Sequence, residues 1–173
     1  MDFITYDSTL KASGKEYRNI VFWNRFIRNP IELILTWTPA VASIVAMVMG
    51  YMSSYLAVIY AACWAYPLYI FGIQFKNSVN YHLRNRAESE SAPCKITLTE
   101  LGIQADIPDF GLTNTYEWAN FTTIYYKLGY YMFFQKGTML AMLREADIPA
   151  EMKTQVPEFI KKNVDMNQCK VLF

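Results

Sequence analysis

At 173 residues the chain can hold one ordinary soluble domain, and its net charge of +1 offers no basic field that would select nucleic acid. Hydrophobic residues make up 53% of it and mean hydropathy is +0.08, both high for a soluble protein. The three cysteines, Cys63, Cys94 and Cys169, show no metal-ligand spacing and are an odd set for a disulfide framework, so they read as reduced thiols, and no cofactor or metal is expected.

Residues 1–30 read as a cytosolic N-terminal segment. Within it, residues 17–29 mix aromatics with arginines. Ile20, Phe22, Trp23, Phe26 and Ile27 could face lipid on an interfacial amphipathic helix. An extended segment packed on the cytosolic domain is the other reading of the same residues.

Residues 31–75 read as a transmembrane hairpin, with helices at about 31–50 and 53–73. Each run is uncharged from Leu33 and Met52 onward and close to the roughly 20 residues that cross a bilayer core. Neither shows the polar stripe of a soluble amphipathic helix. Thr36, Thr38 and Ser43 can bond backbone carbonyls, and Pro39 and Pro67 are tolerable inside membrane helices. Small residues Ala40, Ala42, Ser43 and Ala46 are expected to meet Ala57, Ala61 and Ala62. A tight turn is expected at residues 50–54. Arg25 and Arg28 precede the hairpin, and Lys76, Arg84 and Arg86 follow it, while the turn carries no charge. The positive-inside rule then places both termini in the cytoplasm of a multi-pass protein of the cell membrane.

Residues 76–92 read as a juxtamembrane helix followed by a small, charged linker that ends at Pro93. His82, the one histidine, reads as a solvated surface group.

From residue 93 the apolar period falls to two, which marks a cytosolic β domain at 93–173. Strands are expected at residues 95–99, 103–107, 112–118, 122–127, 130–135 and 138–144, with Leu128-Gly129 and Lys136-Gly137 as hairpin turns. A bend is expected at Trp118 to Phe121. Met152, Val156, Phe159, Ile160 and Val164 then fall on one helical face, with Pro157 inside and Asp147 or Thr154 as a cap. Strands of this kind closed by a helix suggest a strongly bent sheet or partial barrel.

Leu101-Gly-Ile-Gln-Ala-Asp106, the run Tyr116-Glu-Trp-Ala-Asn-Phe-Thr-Thr-Ile-Tyr-Tyr126, Tyr130-Tyr-Met-Phe-Phe134 and Ile148-Pro149 together resemble the YcxB-like family of bacterial membrane proteins. The resemblance implies two membrane helices ahead of a domain similar to pleckstrin-homology domains, and it brings no catalytic residues. The expected fold is therefore that of an α+β membrane protein: a transmembrane helical hairpin followed by a small antiparallel PH-like β domain with a C-terminal helix. One departure is the end of the sixth strand, where Arg144 sits among Glu145 and Asp147, so the family's basic patch is not reproduced.

Residues with chemistry to offer are few. Glu100, Asp106 and Asp109 form the one carboxylate group and read as solvated turn residues. The aromatic strands carry more weight. Tyr116, Trp118, Tyr125, Tyr126, Tyr130, Tyr131 and Phe133 alternate, so a second aromatic face could be left for a partner, with packing of all of them into the core as the alternative. No enzyme is expected. The functional expectation is a membrane-anchored, non-enzymatic binding or regulatory module at the cytosolic face. The alternative is an immunity or accessory subunit of a membrane toxin, secretion or transport complex. Expected partners are the lipid bilayer, a protein and a second copy of the chain, with no nucleic acid.

Overall fold

A computed structural model of the chain describes residues 3–8, 14–51, 53–84 and 92–173. It is α+β, and it divides into two compact units: Met1–Lys11 with Ala87–Phe173, and Ala12–Arg86.

The helical unit begins with α1 (Gly14–Phe22), which runs on into a π-helical turn at Trp23–Ile27. After a break at Asn29, α2 (Pro30–Val48) starts with proline at its first position, where no backbone N–H is needed. It ends in a Schellman turn: Tyr51 N–H donates to Ala46 O (3.1 Å), Gly50 N–H to Met47 O (3.0 Å), and Gly50 takes the left-handed conformation at φ 84°. Ser53 caps α3 (Ser54–Tyr69), its hydroxyl accepting from Leu56 N–H at 3.3 Å. A second π-helical turn, Ile70–Gln74, joins α3 to α4 (Phe75–Arg84), so that one continuous helical rod follows the turn. Residues 87–91 of the expected linker at 87–93, Arg86, Met52 and the His82 side chain lie outside the described residues.

The β-rich unit holds two four-stranded sheets. The first runs β1 (Ile4–Ser8), β2 (Cys94–Leu98), β3 (Gly102–Ile107) and β4 (Leu112–Glu117), antiparallel throughout. In the second the order is β7 (Thr138–Arg144), β6 (Tyr130–Gln135), β5 (Thr123–Lys127) and β8 (Lys170–Leu172). Among the described residues only β8 pairs in parallel, against β5. The expected strand positions hold for β2 to β7, and the strands are divided between two sheets rather than joined in the single bent sheet or partial barrel that the strand pattern suggested. Two strands were not anticipated. One is β1, which comes from residues read as part of an undivided N-terminal segment. The other is β8.

Both hairpin turns of the second sheet put two successive residues at positive φ: Leu128 and Gly129 at 57° and 77°, Lys136 and Gly137 at 45° and 94°. That is the twist-matched two-residue hairpin turn. Inward residues from both sheets, including Ile96, Leu98, Ile103, Ile124, Phe133 and Leu143, share one core with Val156, Phe159 and Ile160 of α5 (Gln155–Asn163). Pro157 sits in the first turn of α5, where it breaks no internal hydrogen bond. Thr154 precedes the helix but makes no side-chain cap, and Asp147 lies in a 3-10 turn of residues Glu145–Asp147.

Candidate functional site

The hairpin has an inverted distribution of polarity. Thr36, Ala40 and Ser43 of α2 are buried, and so are Tyr60, Pro67 and Ile70 of the following helix. These positions step by three or four residues, or by whole heptads, which makes a seam of the coiled-coil kind. The hydroxyls in α2 turn back on their own helix: Thr36 Oγ1 donates to Glu32 O (2.6 Å), and Ser43 Oγ to Ala40 O (2.7 Å). Outside the seam stand Ile31, Ile34, Leu35, Val41, Ile44 and Val45, with Val48 83% and Val58 71% exposed. Of the small residues expected to meet, Ala40 and Ser43 are buried, whereas Ala57, Ala61 and Ala62 are exposed and the bulkier Tyr60 and Pro67 are the buried residues of the second helix.

The two π-helical turns meet in an aromatic cluster. Phe26 is fully buried, 4.7 Å from Phe71 and 5.6 Å from Phe75 between ring centroids. Trp37 continues the ladder, 6.1 Å from Phe71 and 6.2 Å edge-on to Trp64. Of the residues proposed to face lipid along 17–29, Ile20 and Phe26 are therefore interior, while Phe22 and Ile27 are exposed. Arg25 makes a two-pronged ion pair with Glu32 in the first turn of α2, its Nε donating to Oε2 at 2.8 Å. Arg28 reaches Asn24 Oδ1 at 2.7 Å, and Lys76 and Arg84 are exposed.

In the β-rich unit most of the aromatics weighed between a partner face and the core are interior. Trp118, Tyr130, Tyr131 and Phe133 are each less than one-tenth exposed. Trp118 Nε1 donates to Thr99 O (2.8 Å), and its ring meets Phe121 and Phe133. The physical reason lies in β6. It is central in its sheet, and every residue from Tyr130 to Phe134 is buried, so alternation does not leave one face open. Only Tyr116, Tyr125 and Tyr126 remain half-exposed. Tyr126 donates its hydroxyl to Glu145, and this bond, with partial burial and the charge of the same carboxylate, pushes its pKa up to about 12.

A polar corner that the sequence reading missed lies beside Glu145–Asp147. Ser8 Oγ donates to Asp147 Oδ2 at 2.7 Å, and Arg144 Nη1 stands 3.7 Å from Oδ1 of the same carboxylate. Tyr6 is 5% exposed, and among the described residues its hydroxyl has no hydrogen-bond partner. Burial, with Asp147 nearby, raises its pKa. The signal was present as the alternation of Ile4, Tyr6 and Ser8. The expected carboxylate group is dispersed: Glu100 lies in the β2–β3 turn, while Asp106 and Asp109 lie at the far end of β3. Asp106 accepts from Gln104 Nε2 and Thr113 Oγ1, which hold its pKa down.

The outer face of the first sheet is a polar ladder across all four strands. Thr5 pairs with Thr97, Thr97 with Gln104, and Gln104 with Thr115. The sheet stops at β4, whose residues are exposed on both faces except for half-buried Tyr116.

Comparison with protein-family models, curated proteins and solved structures finds no match to this chain.

Proposed function

We propose that the chain is a membrane-anchored, non-enzymatic binding module whose two long helices cross the bilayer and whose β-rich unit acts at the cytosolic face. The observation that carries this reading is the apolar exterior of the hairpin. Pro30–Val48 and Ser54–Tyr81 are each long and apolar enough to cross a membrane, and only 17% of each apolar window is buried. A core helix of a soluble protein buries its bulky aliphatics and exposes polar residues. Here the Thr36 and Ser43 hydroxyls face the seam, and Leu35, Val48 and Val58 face outward. Contiguous apolar surface of that extent fits lipid.

Charge supports the orientation. Arg25, Arg28, Lys76 and Arg84 flank the hairpin at one end, and the turn at the other end is uncharged. Pairing of Arg25 with Glu32 offsets the carboxylate in α2 that would otherwise oppose insertion. What supports a pleckstrin-homology-like fold is the strand pattern: a sheet of four antiparallel strands with the helical unit inserted after β1, then β5 to β7 and the closing α5, with a short β8 added after it. Binding rather than catalysis is supported by the dispersal of the carboxylates and by the open strand edge of β4.

Thiol labelling with a membrane-impermeant maleimide tests the reading. In intact cells Ser54→Cys should label from outside, and Met166→Cys only after lysis, each against the wild-type background. Labelling of Met166→Cys in intact cells, or release of the chain from membranes by alkaline carbonate, overturns it.

A further inference from the structure

We propose that β4 is a dimerisation edge that pairs antiparallel with β4 of a second copy of this chain, about a twofold axis through Thr115. The phase of the ladder follows from two backbone bonds. Thr99 N–H donates to Gly102 O at 2.9 Å, so Gly102, Gln104 and Asp106 point their backbone groups at β2. Ile103, Ala105 and Ile107 then bond to β4, where they oppose Tyr116, Asn114 and Leu112. Trp118 N–H donating to Leu101 O at 3.1 Å continues the same phase. The N–H and C=O groups of Thr113, Thr115 and Glu117 therefore turn away from the sheet.

Natural sheets blunt such edges with lysine, proline, a bulge, a short strand or a cover. Strand β4 has six residues in unbroken register with β3, no lysine and no proline, and lies open to solvent. The other long edges are managed: β1 is tied to the Glu145–Asp147 turn through Ser8, and β7 carries a register shift opposite Phe133 and Phe134. β8 is only three residues long.

A second copy fits in a register centred on Thr115, because that register sets each Glu117 opposite a neutral Thr113, whereas one centred on Glu117 would oppose two carboxylates. Thr115 opposes Thr115 of the other copy, and Thr113 opposes Glu117 on either side. That register makes about six backbone hydrogen bonds from three narrow pairs. No carboxylate faces another directly across the pair, so the like-charge penalty is absent. An isologous contact of this kind closes on itself as a dimer. One strand pair buries less than the roughly 1,200 Å² of a stable soluble complex. The inference therefore rests on the membrane reading above, because confinement in a bilayer supplies the missing effective concentration.

The test uses the full chain reconstituted in phosphatidylcholine/phosphatidylglycerol vesicles. Flotation with the vesicles is measured first and reports the anchor alone. Oxidative cross-linking then compares Thr115→Cys, Asn114→Cys and the wild type. Cα atoms across a narrow pair are about 5.5 Å apart, within disulfide range. Thr115→Cys should give at least fivefold more dimer than Asn114→Cys or the wild type, and the yield should fall as lipid is added at constant protein. Thr115→Pro removes an outward donor but no bond to β3, so it should abolish the concentration-dependent energy transfer between labelled copies while amide exchange in β3 stays protected. A chain that floats yet gives no excess cross-link through Thr115→Cys, or that still associates as Thr115→Pro, overturns the edge. Preferential cross-linking through Asn114→Cys overturns the register. A chain that fails to float overturns the anchor instead.

Discussion

Gly102 is where the first sheet is most sensitive to a single methyl group. A Cβ placed there would lie 2.1 Å from Tyr116 O, and 2.8 Å from both Tyr116 C and Glu117 Cα. All three are backbone atoms of β4, so no side chain can swing aside. Relief requires β3 and β4 to separate at the end held by Trp118 N–H on Leu101 O and Trp118 Nε1 on Thr99 O. Overpacking in a well-packed interior costs about 1–3 kcal/mol, and an obstacle made of backbone belongs at the upper end. About 3 kcal/mol corresponds to roughly a hundredfold rise in local opening. Gly102→Ala should therefore accelerate amide exchange of Ile103 and Ala105 about a hundredfold in the full chain in detergent. Gly111→Ala is the contrast. Its φ is 59° and a methyl group there would meet nothing within 4 Å, so the variant bears only left-handed strain of about 1 kcal/mol. If Gly102→Ala stays within threefold of the wild type, or if the two variants behave alike, the close approach of β3 and β4 is refuted.

Leu128 holds φ 57° at an exposed turn, so Leu128→Asn should stabilise the unit by about 0.5–1 kcal/mol, read as slower exchange across β5 and β6. An unchanged or faster rate contradicts the turn assignment. Tyr126 has its folded pKa raised to about 12 by the bond to Glu145, so its contribution is complete below the unfolded value of about 10 and is lost as pH rises through 12. Tyr126→Phe should flatten the alkaline loss of stability in that window and remove one late-titrating tyrosinate from the ultraviolet titration; retention of the full late amplitude would count against the bond. A chain lacking residues 1–8 leaves β2 as an edge and removes the buried Ile4 and Tyr6. At about 1.5–3 kcal/mol for each side chain, it should be largely unfolded in its β-rich unit by amide exchange, and near-native protection of β2 would refute a role for β1.

Legibility followed the range of the interactions. Strands β2 to β7 were readable because alternation is local and their turns carry Gly129 and Gly137 at the required positions. The two long apolar helices were readable because length and absence of charge are local too. What escaped was decided at a distance. β1 has the same alternation, Ile4, Tyr6 and Ser8, but its partner β2 begins at Cys94, so nothing nearby marked it as a strand. β8 is three residues stabilised by pairing with β5 and by Phe173 lying 5.4 Å from Tyr131. The choice between an aromatic partner face and core packing was not legible, because a period of two says which residues share a side, and not whether that side is covered. Tyr130 and Tyr131 lie on opposite faces of β6 and are both buried. The second helix of the hairpin shows a related limit, since its small residues Ala57, Ala61 and Ala62 are exposed and the bulkier Tyr60 and Pro67 are buried.

The order of the elements ties the two units together through the chain. β1 precedes the helical unit and β2 follows it, so the pairing of Ile4 with Leu98 closes a loop containing the whole hairpin. The entropy of closing a loop grows only slowly with its length, so the long insertion adds little to the cost of a formed β1–β2 pair. The ordering has a kinetic consequence. During synthesis β1 emerges before the hairpin and waits for its partner, with Ile4 and Tyr6 unburied, until residues beyond Leu98 are made. Two antiparallel helices of the lengths seen here return the chain to the side it started from, which is what the pairing needs. A hairpin with an even number of crossings is compatible with a sheet split across it, and a single crossing is not. If the two long helices cross a bilayer, the pairing of β1 with β2 sets both strands on one side of it, a constraint independent of the flanking arginines.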